Sequence, residues 1–112
     1  SYQRYGFGRW AVIERHNEDF IGFAGIKFCE QRQELDLGFR LMRHCWGQGL
    51  ATEVSEPCLR VAKIHGYSFV VGRCRPDNLA SVRVLEKLGM RFEKRFVENE
   101  CIWLQYRMSL LG

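Results

Sequence analysis

Apolar and polar residues alternate from Glu34 to Met42 (ELDLGFRLM). Leu35, Leu37, Phe39 and Leu41 fall on one side; Glu34, Asp36, Gly38 and Arg40 fall on the other. That period of two predicts a strand with one buried face. From Gly49 to His65 the period lengthens. Leu50, Val54, Cys58, Val61 and His65 then lie on one helix face. Glu53 and Glu56 in the early turns and Lys63 in the last suit the helix dipole. Gly66 is placed to close the helix. Pro57 predicts a kink near Glu53–Pro57 or a late helix start, because a mid-helix proline lacks its N–H and crowds the preceding turn.

The flanking segments extend this pattern. Arg9 to Arg15 and Phe20 to Phe28 are rich in β-formers, with the polar cluster His16, Asn17, Glu18, Asp19 as the turn between them. Gly22 and Gly25 predict a bulge or a close neighbour. With Glu34 to Met42 these segments make an antiparallel meander of three strands. Tyr67 to Cys74 (YSFVVGRC) is a short apolar run, as expected of a buried central strand. The helix before it acts as a crossover, so this strand should run parallel to the Glu34 to Met42 strand. Arg75, Pro76 and Asp77 break it. Asn78 is a fitting N-cap for a helix over Leu79 to Leu88 lined by Val82, Leu85 and Leu88, and Gly89 ends that helix. Met90 to Val97 and Cys101 to Leu111 form a last hairpin around Glu98–Glu100. The expected fold is α/β (α+β) with a mixed, mostly antiparallel sheet in the order β-β-β-α-β-α-β-β.

A chain of 112 residues suits one domain, residues 1–112, with one core. Net charge is +4 with mixed signs, short of a nucleic-acid arm and compatible with an anionic small ligand. There are five cysteines and no CxxC pair, so a zinc or dithiol site has no support and no metal is expected. Scattered cysteines suit a reduced, cytoplasmic setting. No 18-residue apolar span and no signal-like start is seen, so no membrane or nucleic-acid partner is expected.

Candidate chemistry gathers where the period changes, in RHCWGQGLATE from Arg43 to Glu53. A strand that turns through Gly47, Gln48 and Gly49 into a helix offers backbone donors to an anion. The plain alternative is a tight turn that binds nothing. Asp36 and Glu34 share the polar strand face, and the plain reading of Asp36 is a solvated carboxylate beside Arg40.

Two blocks, WGQGLATE and RPDNLASVRVLEKLGMRFE, occur at the expected places in this order. Together they resemble the GCN5-related N-acetyltransferase (GNAT) superfamily, and within it the branch that acetylates N-termini of ribosomal proteins, the Rim type. The resemblance covers Arg9 to Leu111 and implies the acyl-CoA N-acyltransferase fold, with acetyl-CoA as cosubstrate and a primary amine as acceptor. It implies that the amides of Trp46, Gly47, Gln48, Gly49, Leu50 and Ala51 hold the coenzyme pyrophosphate, with His44 beside them. It also implies that acetyl-pantetheine slots between splayed strands against the backbone of Phe39, Leu41 and Met42. Asn78 and Ser81 match residues facing the pantetheine or thioester. Asp36 falls where many relatives carry a glutamate base, so the resemblance implies a general base there, direct or through water, with Glu34 on the same face in reserve.

Three departures stand out. His44 replaces a common Arg or Gln. Leu85 falls where a tyrosine acid is often found, leaving Ser81 or a water held by Asn78 to protonate the thiolate. The usual N-terminal strand and helices are expected to be lacking, so a homodimer is expected to cover one sheet face. The alternative function is a non-catalytic acyl-CoA-binding or sensing module; a nucleic-acid module is motivated by net charge alone.

Overall fold

The computed structural model describes residues 8–13, 20–41, 47 and 49–111. The alternating segments form strands β1 (Gly8–Ile13), β2 (Phe20–Cys29) and β3 (Glu34–Leu41). The longer period forms helix α1 (Leu50–Ile64), followed by β4 (Phe69–Cys74) and helix α2 (Leu79–Lys87). Strands β5 (Arg91–Glu98) and β6 (Cys101–Ser109) complete the order. One six-stranded sheet runs β1-β2-β3-β4-β6-β5. Every pairing is antiparallel except β3 with β4. The mixed, mostly antiparallel α/β architecture read from the sequence is therefore the one formed.

Both helices pack on one face of the sheet. Leu37 of β3 is in register with Gly72 of β4. A Cβ on Gly72 would lie 2.6 Å from Leu85 Cδ2 of α2, and Leu37 joins Cys58, Leu59 and Ala62 of α1 in the same buried cluster. Ala24, Ile26, Leu35, Val70, Cys74, Met90, Tyr106 and Leu110 fill out that core. Val71 is also fully buried but points to the other face, in register with Asp36 and Arg107.

Two sequence expectations are corrected. The buried residues of α1 are Ser55, Cys58, Leu59 and Ala62, with Val54 and Val61 half-buried at the flank and His65 exposed. Small residues at 55, 58 and 62 let the helix lie close to the sheet, which rotates the buried face away from the purely apolar stripe. The helix also continues through Pro57. Pro57 and Glu53 are both exposed, so the Glu53 carbonyl that loses its helical N–H partner turns to water.

Each helix is closed by the glycine expected to close it. Gly66 has φ +87, and its N–H and that of Tyr67 donate to the Lys63 and Ala62 carbonyls at 3.0 and 3.2 Å. Gly89 has φ +100, with the N–H groups of Gly89 and Met90 donating to Glu86 and Leu85 at 3.0 Å each. Both are complete left-handed closures in which the orphan carbonyls of the last turn find donors. The β5–β6 hairpin turns on Asn99 and Glu100, both at positive φ (52° and 64°), as a two-residue turn requires.

Burial also settles the cysteines. Cys58 Sγ donates to the Val54 carbonyl at 3.6 Å, and burial pushes its thiol up to about 11. Burial raises Cys74 as well. Both stay protonated near neutral pH and act as small apolar side chains. Cys29, Cys58, Cys74 and Cys101 are all free thiols.

Candidate coenzyme site at a strand fork

Strands β3 and β4 pair through only two register positions, Asp36 with Val71 and Leu37 with Gly72. Both strands continue past that point. Gly38, Phe39, Arg40 and Leu41 remain in β3, and Arg73 and Cys74 remain in β4, without pairing to one another. The two parallel strands thus separate as a fork. Each arm stays paired on its outer side, β3 to β2 and β4 to β6, and turns its inner edge toward the gap. The fork opens toward the carboxyl ends of both strands, the usual ligand end of such a sheet.

Each arm leads into a helix, so two helix N-termini meet this end. Gly49 caps α1 at φ +76 and ψ 4, with no side-chain cap bond. The first helical bond is from Glu53 N–H to Gly49 O at 3.0 Å. The N–H groups of Leu50, Ala51 and Thr52 therefore have no partner within the helix. Gly47 is also left-handed, at φ +78. Among the described residues, no atom lies within 4 Å of a Cβ built on either glycine. An uncapped N-terminus behind two bare, left-handed glycines fits a diphosphate group. Met42, His44, Trp46 and Gln48, named from the sequence, lie outside the described residues.

At the second N-terminus, Asn78 Oδ1 accepts from Ser81 N–H at 3.1 Å. Asn78 is thus the cap of α2, and the half-buried Ser81 sits in its first turn. The structure brings Phe39, Leu41, Gly47, Gly49, Leu50, Ala51, Asn78 and Ser81 to one end of the sheet. Phe39 packs its ring on the core, as its register with Ala24 requires, so its backbone, not its ring, borders the fork. Leu85 is fully buried against Gly72.

Asp36 stands at the base of the fork on the face away from the helices. Its neighbour there is Arg73, and not Arg40 alone as the sequence suggested. Arg73 Nη1 donates to Asp36 Oδ2 at 2.6 Å, Nη2 to Glu34 Oε1 at 2.7 Å and Nε to Gln105 Oε1 at 2.8 Å. Gln105, only 1% exposed, passes the network on by donating from Nε2 to Glu93 Oε1 at 2.7 Å. Glu93 sits where the β5–β6 register shifts between Phe92 and Lys94, and such a bulge re-aims a side chain. A hollow of about 310 Å³ lies beside Asp36, lined by Lys27, Phe28, Cys29, Glu30, Gln31 and Arg32. Sequence reasoning missed Arg73 and Gln105. The available signal was one charged and one amide side chain inside the apolar runs YSFVVGRC and CIWLQYRM. No group of three or more metal-ligating side chains occurs among the described residues.

Comparison with known proteins bears on this geometry. The family model described as an acetyltransferase (GNAT) domain matches residues 1–91. The protein YkkB of Bacillus subtilis is 30% identical over 93 residues, which are 80% of this chain and 54% of YkkB. Solved structures share the fold. The structure of yncA from Salmonella typhimurium with its cofactor acetyl-CoA superposes with a TM-score of 0.82 at 17% identity, covering 99% of this chain and 69% of that one. A ribosomal-protein-S5-alanine acetyltransferase from Vibrio fischeri gives 0.83 at 14% identity, covering 96% and 64%. The chain spans about half the length of the curated relatives it matches.

Proposed function

This chain belongs to the GNAT acetyltransferase family, and from that premise we propose that it transfers acetyl from acetyl-CoA to a primary amine. The observation that carries the proposal is the fork between β3 and β4 with an uncapped glycine N-terminus at its mouth. When bound, acetyl-CoA supplies an acyl group already activated as a thioester. The amides of Gly47, Gly49, Leu50 and Ala51 hold the diphosphate, with Trp46, Gln48 and His44 from the same loop. The β3 backbone at Phe39 and Leu41, with Met42 next in sequence, is the proposed partner of the pantetheine arm. The acceptor amine approaches from the hollow beside Asp36, whose carboxylate orients the ammonium and takes its proton directly or through a water. Ser81, or a water held by Asn78, returns a proton to the departing thiolate.

A protein or peptide N-terminus is the proposed acceptor, by the Rim-type resemblance and by likeness to a neighbour that is a ribosomal-protein-S5-alanine acetyltransferase. A reduced, cytoplasmic setting belongs to the same proposal, supported by the free thiols of the described cysteines, Cys29, Cys58, Cys74 and Cys101. No described helix is long and apolar enough to cross a membrane.

Acetyl-CoA at about 100 times its dissociation constant is expected to stabilise the protein by roughly 2.7 kcal/mol, read as a rise in melting temperature. No shift at millimolar coenzyme would remove the proposal. A second reading is a non-catalytic acyl-CoA-binding module, favoured by Leu85, which is fully buried and donates nothing. A melting shift without CoA release over a panel of amines and N-terminal peptides would select it.

Self-association is also proposed. Both helices lie on one sheet face, and Phe69, Phe96 and Trp103 are half-buried on the other among the ion pairs. Sedimentation velocity is expected to give the mass of two chains; a one-chain mass would remove this part.

A further inference from the structure

The two-position ladder between β3 and β4 is a weak closure for a fork. Two parallel register positions supply few backbone hydrogen bonds, and those bonds are slanted. Something else must fix where pairing ends. Arg73 is the first β4 residue beyond the last paired position, Gly72. Its guanidinium reaches back across the junction to β3 and takes both carboxylates of its polar face, Asp36 at 2.6 Å and Glu34 at 2.7 Å.

The contact is built rather than incidental. The Arg73 side chain is 11% exposed and Glu34 16%. Its third edge, Nε–H, is held by Gln105 Oε1 from β6, and Gln105 is itself buried and fixed by Glu93. The guanidinium plane is therefore set from the β6 side and presented to β3. The Phe96 ring lies 5.8 Å from its carbon. Arg32 also approaches Glu34, at 3.4 Å, but from the half-exposed β2–β3 turn; removing the Arg73 charge would take away the cation that holds Glu34 and Asp36 together across the junction.

We infer that Arg73 is a positioning residue: it clamps β3 to β4 at the apex of the fork and so fixes how far the fork opens. The apex sets where an inserted pantetheine arm stops, and hence where its thioester lies relative to Asp36. The placement of that arm rests on the acetyl-CoA reading above; the clamp does not.

Native-state amide hydrogen exchange tests the clamp without any ligand. In Arg73→Met, amides at Asp36, Leu37, Val71 and Gly72 that face across the β3–β4 junction are expected to exchange roughly ten-fold faster or more, while amides bonded across the β5–β6 pairing change little. Arg73→Lys keeps a point charge but not the three-way fork, so it should fall between wild type and Met. Arg75→Met removes another guanidinium, one that lies against the Trp103 ring just past the end of β4, and should leave these amides unchanged. If the Met variant does not stay folded, the Lys variant carries the comparison. Equal acceleration everywhere, or none at the junction, overturns the clamp.

Kinetics read the consequence. Arg73→Met should raise KM for acetyl-CoA about ten-fold and lower kcat with it, because a displaced arm binds less well and carries its thioester out of line with Asp36. A kcat loss with a displaced pH profile and unchanged KM would mean that Arg73 acts on proton transfer at Asp36 and not on the fork. If wild type fails to bind acetyl-CoA but the exchange result holds, the clamp stands and the functional reading falls.

Discussion

Gly49→Val is expected to abolish the stabilisation by acetyl-CoA while the protein still folds. The position demands φ +76, which costs a branched L-residue roughly 1–2 kcal/mol. Among the described residues no atom lies within 4 Å of the new Cβ, so the fold is expected to lose that strain energy and little more. The ligand loses more, because two methyl groups would stand where the diphosphate must meet the first amides of α1. Strain at the helix start is the competing explanation, and Gly66→Val controls for it. Gly66 has φ +87 with the same open surroundings, but at the far end of α1. The two variants should melt lower than wild type by similar amounts, and only the Gly66 variant should recover several degrees with acetyl-CoA. If the Gly49 variant recovers too, the diphosphate is not held there.

Gly22→Ala should be the most damaging single-methyl change in the described part of the chain. A Cβ at Gly22 would lie 2.1 Å from the Arg40 carbonyl oxygen and 2.7 Å from Leu41 Cα. Both are backbone atoms, so no rotamer change relieves the overlap. The residue also sits at φ +146. Strain and overpacking together are expected to cost roughly 3 kcal/mol or more. Gly72→Ala is the useful comparison. Its Cβ meets Leu85 Cδ2 at 2.6 Å and Met90 Sδ at 3.3 Å, which are the ends of side chains that can shift. That variant should lose about 1–3 kcal/mol. Urea denaturation midpoints rank the pair, and a Gly72 variant weaker than the Gly22 variant would refute the close approach of β2 to β3.

What could be read from the sequence was set by local chemistry. Asn78 as a cap, Gly66 and Gly89 as helix ends and the alternation of Glu34 to Leu41 each depend on residues within a turn or on a period of two. All appear at the expected places. Gly22 announced a close neighbour, and the structure shows both that neighbour and a register shift beside it, between Val12 and Ile13. The misses needed tertiary contacts. Asp36 read as a solvated carboxylate or a lone base because its partner, Arg73, is 37 residues away. The buried face of α1 turned because helix-to-sheet distance favoured Ser55 and Ala62 over Leu50 and His65. Pro57 was tolerated because its unpaired carbonyl faces solvent, an exposure that periodicity alone does not give.

The part of β3 that runs on past its pairing with β4 has one further consequence. Beyond Leu37 it runs for Gly38, Phe39, Arg40 and Leu41. At the usual rise of a strand those four residues measure about 13 Å. A strand has a fixed rise, so on the coenzyme reading proposed above this edge acts as a ruler running from Leu41 back toward Asp36. An acyl donor gripped by its diphosphate must carry an arm of about that length for its reactive carbon to reach the carboxylate. Acetyl phosphate, with the same acetyl group and almost no arm, cannot occupy both ends at once. Selection of the donor would then lie in a length of chain rather than in any one side chain.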